Sequence, residues 1–275
     1  MSIVQAVVLG VVQGLTEFLP VSSSGHLILV PELFGWMDQG MSYDTVLHLG
    51  TLLAVLWFFR TSLSRLVKDL FSKKRDVVEA AQTLLIQLIV CSLPALILGF
   101  ILNDWIERVS RKPWLVALDL ALWGVVLWYA DRASRQYGDA DQGTPDDLPK
   151  VRWSQALVMA IAQPIALLPG SSRSGVTMTA GLFMGLSRSA AARFSFLLSI
   201  PVTAAAGGYG LLKWITQGDA HGTAPSLLII GFIAALTSGV FAIRFLLSYV
   251  SHRRFTPFVV YRLLLALLVV LLLVR

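Results

Sequence analysis

The sequence predicts an all-α polytopic membrane protein built as an inverted-topology repeat. Each half is expected to be a re-entrant helical hairpin followed by three transmembrane helices. Three observations carry this. Hydrophobic residues fill 56% of the 275 positions and charged residues only 14%, with a mean hydropathy of +0.73, which excludes an ordinary soluble domain. Two polar stretches interrupt this apolar background: Gln13 to His26 (QGLTEFLPVSSSGH) and Gln163 to Thr177 (QPIALLPGSSRSGVT). Finally, the two stretches align. Gln13 and Gln163 lie 150 positions apart, as do Gly25 and Gly175, while Pro20 and Pro169 slip by one. In this register Ser22 stands opposite Ser172, Ser23 opposite Arg173 and Ser24 opposite Ser174. The expectation is one membrane domain over 1–275, with repeats at 1–150 and 151–275.

Taken in order, Ser2 to Thr16 gives roughly 22 Å of helix, short of the ~20 residues a span requires. Leu27 to Trp36 is shorter still. Pro20 ends the first helix, and the serines with Gly25 allow the chain to reverse. Irregular backbone at membrane depth is tolerated only where protein or a watery cavity surrounds it, so the tip reads as a site. Spans are expected at Asp44 to Arg60, Thr83 to Leu102 and Trp114 to Trp128. Between the first two runs a basic connector with Arg65, Lys68, Lys73, Lys74 and Arg75. Asp131 to Trp153 is the most polar linker, with Asp139, Asp141, Asp146 and Asp147, and divides the repeats. In the second half Ala156 to Leu168 and Gly175 to Leu186 are again too short to cross, with Pro169 to Ser174 as their tip. Phe194 to Ile215, Leu227 to Val250 and Pro257 to Val274 can span, and Gly207, Gly208 and Gly210 point to close helix contact. Three spans per half is an odd number, so the second copy enters from the opposite face. The two tips then meet near the midplane.

A net charge of +6 could suggest nucleic acid, but Met1 to Phe59 contains no Lys or Arg. The basic residues sit in short connectors and read as topology signals; no nucleic-acid partner is expected. One set of loops holds twelve basic residues, among them Arg60, Arg132, Arg135, Lys150, Arg152, Arg253 and Arg254. The opposite set holds four: Arg108, Arg111, Lys112 and Lys213. The richer set belongs in the cytoplasm, which opens the site outward. Trp57, Trp105, Trp114, Trp128, Trp153 and Trp214 fall near helix ends as interfacial anchors. Cys91 is the only cysteine, set in an apolar run, and reads as a buried small residue. No basic n-region precedes the first apolar run, so no cleavable signal is expected.

The chemistry lies in the tips. Gln13 and Glu17, four apart, share a helix face, and a half-buried carboxylate can hold a hard cation or act as a base. Ser22, Ser23 and Ser24 can cap the next helix, or one can be a nucleophile with His26 or Glu17 as its base. Arg173 needs an anionic partner. Its planar fork suits phosphate, aided by Gly170, Ser171, Ser172, Ser174, Gly175 and Thr177 and by the helix dipole; the alternative is a structural pair with Glu17. Asp119 lies inside a span, and its role as a cross-helix partner or an interfacial acid stays open. Arg188, Arg193 and Arg262 are expected near the cytoplasmic surface. His48, His221 and His252 are expected to have local structural roles.

These motifs resemble the undecaprenyl-diphosphate phosphatase family, also called bacitracin-resistance proteins. Its pattern is glutamate or glutamine, three residues, glutamate, then Phe-Leu-Pro-Val-Ser-Ser-x-Gly-His, with Pro-Gly-x-Ser-Arg-Ser-Gly later. Gln13 to His26 and Pro169 to Gly175 match it, and weaker similarity includes Phe194 to Leu198 and Tyr261-Arg262. The resemblance implies hydrolysis of a C55 isoprenyl diphosphate on the outer side of the bacterial inner membrane, with a divalent cation such as Mg or Ca. Carried over by position, Glu17, Ser23, His26 and Arg173 are catalytic, and Glu17 is the metal ligand. Gln13, Ser22, Ser24 and the second-loop residues named above form the substrate-binding set. Some members carry glutamate in place of Gln13, which weakens a two-carboxylate metal site here.

The expected partners are a polyprenyl diphosphate, membrane lipids and a second copy in a homodimer. A type-2 phosphatidic acid phosphatase would need a histidine where Thr179 stands. A lipid-phosphate or anion transporter fits the repeat equally well, but transport alone does not explain a serine–imidazole–carboxylate group opposite an arginine.

Overall fold

The computed structural model describes residues 1–102, 105–106, 112–134, 148–217 and 223–274. Eleven α-helices and one 3₁₀ turn make up the regular structure of these residues, with no strand among them. The first short pair is α1 (Ile3–Phe18) and α2 (Ser23–Phe34). Then come α3 (Gly40–Phe58), the basic amphipathic α4 (Arg60–Asp69), α5 (Arg75–Ile101) and α6 (Pro113–Ala133). The second short set is α7 (Trp153–Ala162), a 3₁₀ turn (Gln163–Leu167) and α8 (Arg173–Phe183). Last are α9 (Arg188–Gln217), α10 (Pro225–Val250) and α11 (Thr256–Leu273). Asp139, Asp141, Asp146, Asp147, Arg108, Arg111, Arg135 and His221 lie outside the described residues.

Among the described residues, six helices (α3, α5, α6, α9, α10 and α11) are long and apolar enough to cross a membrane. Only 28% to 39% of each one's most apolar stretch is buried inside the protein. The rest is an apolar exterior, as a multi-pass membrane protein presents to lipid. α1 has 16 residues and α7 has 10, about 24 and 15 Å of helix at 1.5 Å per residue, both short of a ~30 Å hydrocarbon core. Arg60 lies over the Trp57 ring at 4.8 Å and Arg132 over Trp128 at 4.6 Å, pairing two of the expected anchors with basic neighbours.

The helices begin and end at recognisable signals. The hydroxyl of Ser2 caps α1 and Gln5 returns the bond to the Ser2 amide, a capping box. Pro113, Pro225 and Pro257 stand in the first turns of α6, α10 and α11, where their missing N–H costs nothing. Three expected boundaries move. α5 begins at Arg75 and α9 at Arg188, each several residues early, because the basic stretches continue the helix beyond its apolar part. Asp131, expected to open the linker, still belongs to α6. It is only 2% exposed, accepts from Arg188 Nε at 2.5 Å and from the Phe255 amide at 3.1 Å, and so joins α6, α9 and the start of α11. Arg193 is likewise buried rather than interfacial.

Small residues set how closely helices approach. α1 lies along α10, and a Cβ added at Gly14 would fall 2.5 Å from the Ala235 carbonyl oxygen and 2.7 Å from the Gly239 nitrogen. Gly10 meets the Gly231 carbonyl in the same way, at 2.5 Å. In lipid such close backbone approach replaces the hydrophobic drive that assembles helices in water. Gly207 and Gly210 of α9 sit against Leu49 and Thr45 of α3, as the sequence suggested, whereas Gly208 faces open space. Gly14→Ala should therefore lower the melting temperature of the purified protein by several degrees, through about 1–3 kcal/mol of overpacking. Gly208→Ala should leave it unchanged or slightly raised. Equal melting of Gly14→Ala and the parent would show that α1 and α10 do not approach this closely.

Candidate active site

The site forms where the ends of α1 and the 3₁₀ turn meet the beginnings of α2 and α8. Both turns reverse in the same way. Ser22 and Ser172 take positive φ angles, 76° and 68°, in the left-handed region that costs an L-residue roughly 1–2 kcal/mol. Each is the N-cap of the following helix, with its hydroxyl accepting from the Gly25 amide at 3.3 Å or the Gly175 amide at 3.1 Å. The turns also hold each other. The Gly170 amide donates to Ser22 Oγ at 3.1 Å, and Ser174 Oγ donates to the Leu19 carbonyl at 3.1 Å.

At this junction Glu17, 8% exposed, collects donors from three elements. Arg173 Nη2 donates to Oε1 at 2.9 Å, Ser23 Oγ donates to Oε2 at 2.7 Å, and Gln13 Nε2 donates to Oε2 at 3.1 Å. The ion pair weighed against phosphate binding is therefore formed. A buried carboxylate with this many donors keeps its negative charge despite desolvation. Arg173 is steadied from behind: Nη1 donates to the Ser195 carbonyl at 3.2 Å, while Thr177 Oγ1 donates to the Arg173 carbonyl and meets Ser195 Oγ, both at 2.7 Å.

The other expected site residues take up different work. His26 does not touch Ser23. Its Nδ1 is 2.7 Å from the Ser22 carbonyl, and its Nε2 is 2.7 Å from the Tyr261 hydroxyl. A carbonyl can only accept, so Nδ1 carries a proton, and in the neutral ring Nε2 accepts from Tyr261. Ser24 lies beside Ser22, 3.4 Å between hydroxyls, and Ser171 donates to Asp119 at 3.4 Å. Ser171, Ser172, Ser174, Gly175 and Thr177 are all buried. Their side chains and the Gly170 and Gly175 amides serve the junction itself. The first-turn amides of α2 and α8, those of Ser23 and Ser24 and of Arg173 and Ser174, have no helical carbonyl to serve them.

Two residues have roles quite unlike those expected. Arg262, read as interfacial, is fully buried. Its Nε donates to the Leu120 carbonyl at 3.0 Å, Nη1 to Pro20 at 3.1 Å and Ser171 at 3.3 Å, and Nη2 to Asp119 at 3.2 Å and Gly170 at 2.9 Å. The signal against an interfacial place was an ionisable residue within an unbroken apolar helix, which marks function or a buried partner. His48, read as local structure, points Nε2 at Glu17 Oε2 from 3.7 Å; spacing along α3 carries no sign of it. His252 has the local role expected, beside the Ser251 hydroxyl at 2.8 Å, and Cys91 is buried and unbridged.

The donors present can be tested against a divalent cation. Among the described residues no three of His, Cys, Asp and Glu converge. The site does hold one carboxylate, Glu17, and the Gln13 amide oxygen, buried with no hydrogen-bond partner among the described residues. Magnesium is commonly held by one or two carboxylates together with substrate phosphates, and this set fits that mode.

Residues 6–268 match the family described as bacitracin resistance protein BacA. The chain is 43% identical over 269 residues to undecaprenyl-diphosphatase 2 of Stutzerimonas stutzeri, covering 96% of each chain. It is 40% identical to undecaprenyl-diphosphatase 1 of Pseudoalteromonas translucida, again over 96% of each, and 39% identical to an undecaprenyl-diphosphatase of Magnetococcus marinus over 98% of each. With both polar turns and nearly the whole length included in the match, the chain belongs to the BacA family.

Proposed function

We propose that this protein is an integral membrane lipid diphosphatase. It hydrolyses undecaprenyl diphosphate to undecaprenyl phosphate and inorganic phosphate, returning the lipid carrier to cell-wall synthesis. Family membership and the names of its relatives support the activity. Within the site, the reading is carried by the 2.7 Å bond from Ser23 Oγ to the buried Glu17 carboxylate, beside a guanidinium.

In the proposed reaction Arg173 and the first-turn amides of α2 and α8 bind the diphosphate. Ser23 Oγ attacks the terminal phosphorus while its proton passes to Glu17. The bond from that phosphorus to the bridging oxygen breaks, and undecaprenyl phosphate leaves. Water then attacks the phosphoserine, the bond to Oγ breaks, and Glu17 returns its proton to Ser23. His26 acts from behind the nucleophile, holding the Ser22 carbonyl and so the pitch of the turn. A divalent cation, magnesium or calcium by the family resemblance, would be held by Glu17 with the Gln13 amide oxygen and would neutralise phosphate charge.

The same reading includes an inverted repeat of residues 1–150 and 151–275, with α1–α2 and α7–α8 as re-entrant hairpins. The matching φ angles and caps of Ser22 and Ser172 support it. Loop charge supports an outward-opening, periplasmic site in a bacterial inner membrane, and the apolar exteriors of α5 and α11 leave faces for a homodimer.

Arg173→Lys keeps the charge but loses the fork, so phosphate release should fall at least ~10²-fold with melting little changed. Near-parental turnover would remove the guanidinium from the reaction. Ser23→Ala should lose far more than the ~10²–10⁴-fold of a missing general base, and Ser22→Ala should mainly lower stability. Substantial turnover in Ser23→Ala alongside an inactive His26→Ala would replace serine attack with histidine or water attack. Orientation is read from single cysteines in a Cys91→Ala background. Asp38→Cys should react with an impermeant thiol reagent from outside the cell and Lys73→Cys should not; the opposite pattern reverses the topology.

A further inference from the structure

α3 and α10 run side by side and in the same direction. A Cβ at Gly50 would fall 2.7 Å from the Phe232 carbonyl oxygen, and one at Gly239 would fall 2.9 Å from Ala54 Cβ. About one turn further on, the seam opens into a hollow of about 310 Å³. It is lined by Trp57, Phe58, Arg60, Thr61, Val240 and Arg244. Its two cations come from different helices, and no acid is among the six. Arg60, in the first turn of α4, is already placed: its guanidinium lies over the Trp57 ring at 4.8 Å, and Nη1 donates to the Trp57 carbonyl at 2.8 Å. That bond uses one of its five donors. Arg244 and the Thr61 hydroxyl have no hydrogen-bond or ion-pair partner among the described residues. Arg244 also lines a second hollow, of about 330 Å³, together with Phe241, Phe245, Ser248 and Tyr249. There the ring centroids of Phe241 and Phe245 lie 6.3 Å apart, and those of Phe245 and Tyr249 lie 5.8 Å apart. An exposed aromatic strip thus runs along α10 beside the guanidinium.

We infer that the hollow between α3, α4 and α10 binds an anionic glycerophospholipid. Arg60, Arg244 and Thr61 take its phosphodiester, and Phe241 and Phe245 flank its acyl chain. Depth is the first ground. Arg244 lies six residues before Val250, the last of α10, about 9 Å along the axis, and Trp57 lies one residue before the end of α3. Tryptophan and long basic side chains near helix ends mark the headgroup level, and basic hollows between membrane helices suit anionic headgroups. Charge is the second ground. A zwitterionic lipid would bring its own cation against two guanidiniums, whereas a lipid with net negative charge brings none. The aromatic strip is the third, since a free phosphate ion has nothing to lay along it. A lipid seated there joins the start of α4 to α10, next to Gly239, where a Cβ would fall 3.2 Å from the Phe18 ring. The site lies outside the proposed reaction and does not depend on it.

The test titrates delipidated protein in dodecyl maltoside with phosphatidylglycerol, phosphatidylcholine or inorganic phosphate. Bound lipid is counted by native mass spectrometry, and melting is followed on the same samples. The parent should hold phosphatidylglycerol in preference to phosphatidylcholine and melt higher with it. Arg60→Gln and Arg244→Gln should each weaken phosphatidylglycerol roughly fivefold, and Arg244→Glu should abolish the preference. Lys73→Gln removes the same charge outside the hollow and should bind as the parent does. All three side chains are exposed, and melting without lipid reports any loss of fold separately. Equal affinity of the parent for the two lipids, unchanged affinity in Arg244→Gln, or an equal loss in Lys73→Gln would overturn the site. Displacement of the lipid by millimolar inorganic phosphate would make it a site for free anions and overturn the lipid as its occupant. Phosphate release from undecaprenyl diphosphate plays no part in these readouts, so failure here leaves the diphosphatase reading standing.

Discussion

The arrangement depends on one buried guanidinium. Two turns that break helix inside an apolar protein leave carbonyl groups without helical partners, and each such group costs several kcal/mol where no water can reach it. Arg262 answers both turns at once. It binds Pro20 from the first, Gly170 and Ser171 from the second, and Asp119 and Leu120 from α6. No other side chain offers a planar set of five donors. A lysine would hold a point charge there and leave most of the carbonyls unserved. A Cβ at Gly175 would come within 3.2 Å of Arg262 Nη1, so a side chain there would push the guanidinium by a few tenths of an ångström. Gly170, at φ 99°, lies so close to α6 that a Cβ would fall 2.6 Å from the Val116 carbonyl oxygen.

Upon this clamp the two turns divide the work. Ser22 and Ser172 accept left-handed backbone strain where glycine would take it freely, because glycine has no hydroxyl with which to cap the next helix. Ser22 gains a second donor from Gly170, so its strain is offset by a bond across the junction. The position after each cap is the one that differs. Ser23 supplies a hydroxyl and Arg173 a cation, and both reach Glu17. Pairing the turns thus places a hydroxyl and a guanidinium on either side of one carboxylate.

Much of this was legible in the sequence because it is local. Apolar runs gave the six long helices, Pro20 and Pro169 the turns, and the offset of 150 positions the equivalence of Ser23 and Arg173. What escaped depends on packing between helices distant in sequence. The bonds of Arg262 cross 91 to 242 positions and the Arg188–Asp131 bond crosses 57. Periodicity says which face of a helix is apolar but not which carbonyl will lie opposite an arginine. His48 escaped for a different reason: it shares a polar face of α3 with Asp44, four positions earlier, and reads as bonded within its own helix, while nothing local shows that α1 sets Glu17 opposite it.

In the proposed reaction the Glu17–Arg173 pair is a resting arrangement that the substrate exchanges. Without an anion, an isolated guanidinium at this depth would be left uncompensated, and breaking such pairs costs about 3–5 kcal/mol; Glu17 removes that cost. A diphosphate offers Arg173 more charge and a better bidentate match than one carboxylate oxygen. As the fork turns to phosphate, Glu17 loses its charged donor but keeps Ser23 on Oε2. A carboxylate relieved of a neighbouring cation is a stronger proton acceptor. On that reading its basicity toward the serine rises when a phosphorus atom is in place, and a single acidic residue would both stabilise the empty site and activate the occupied one.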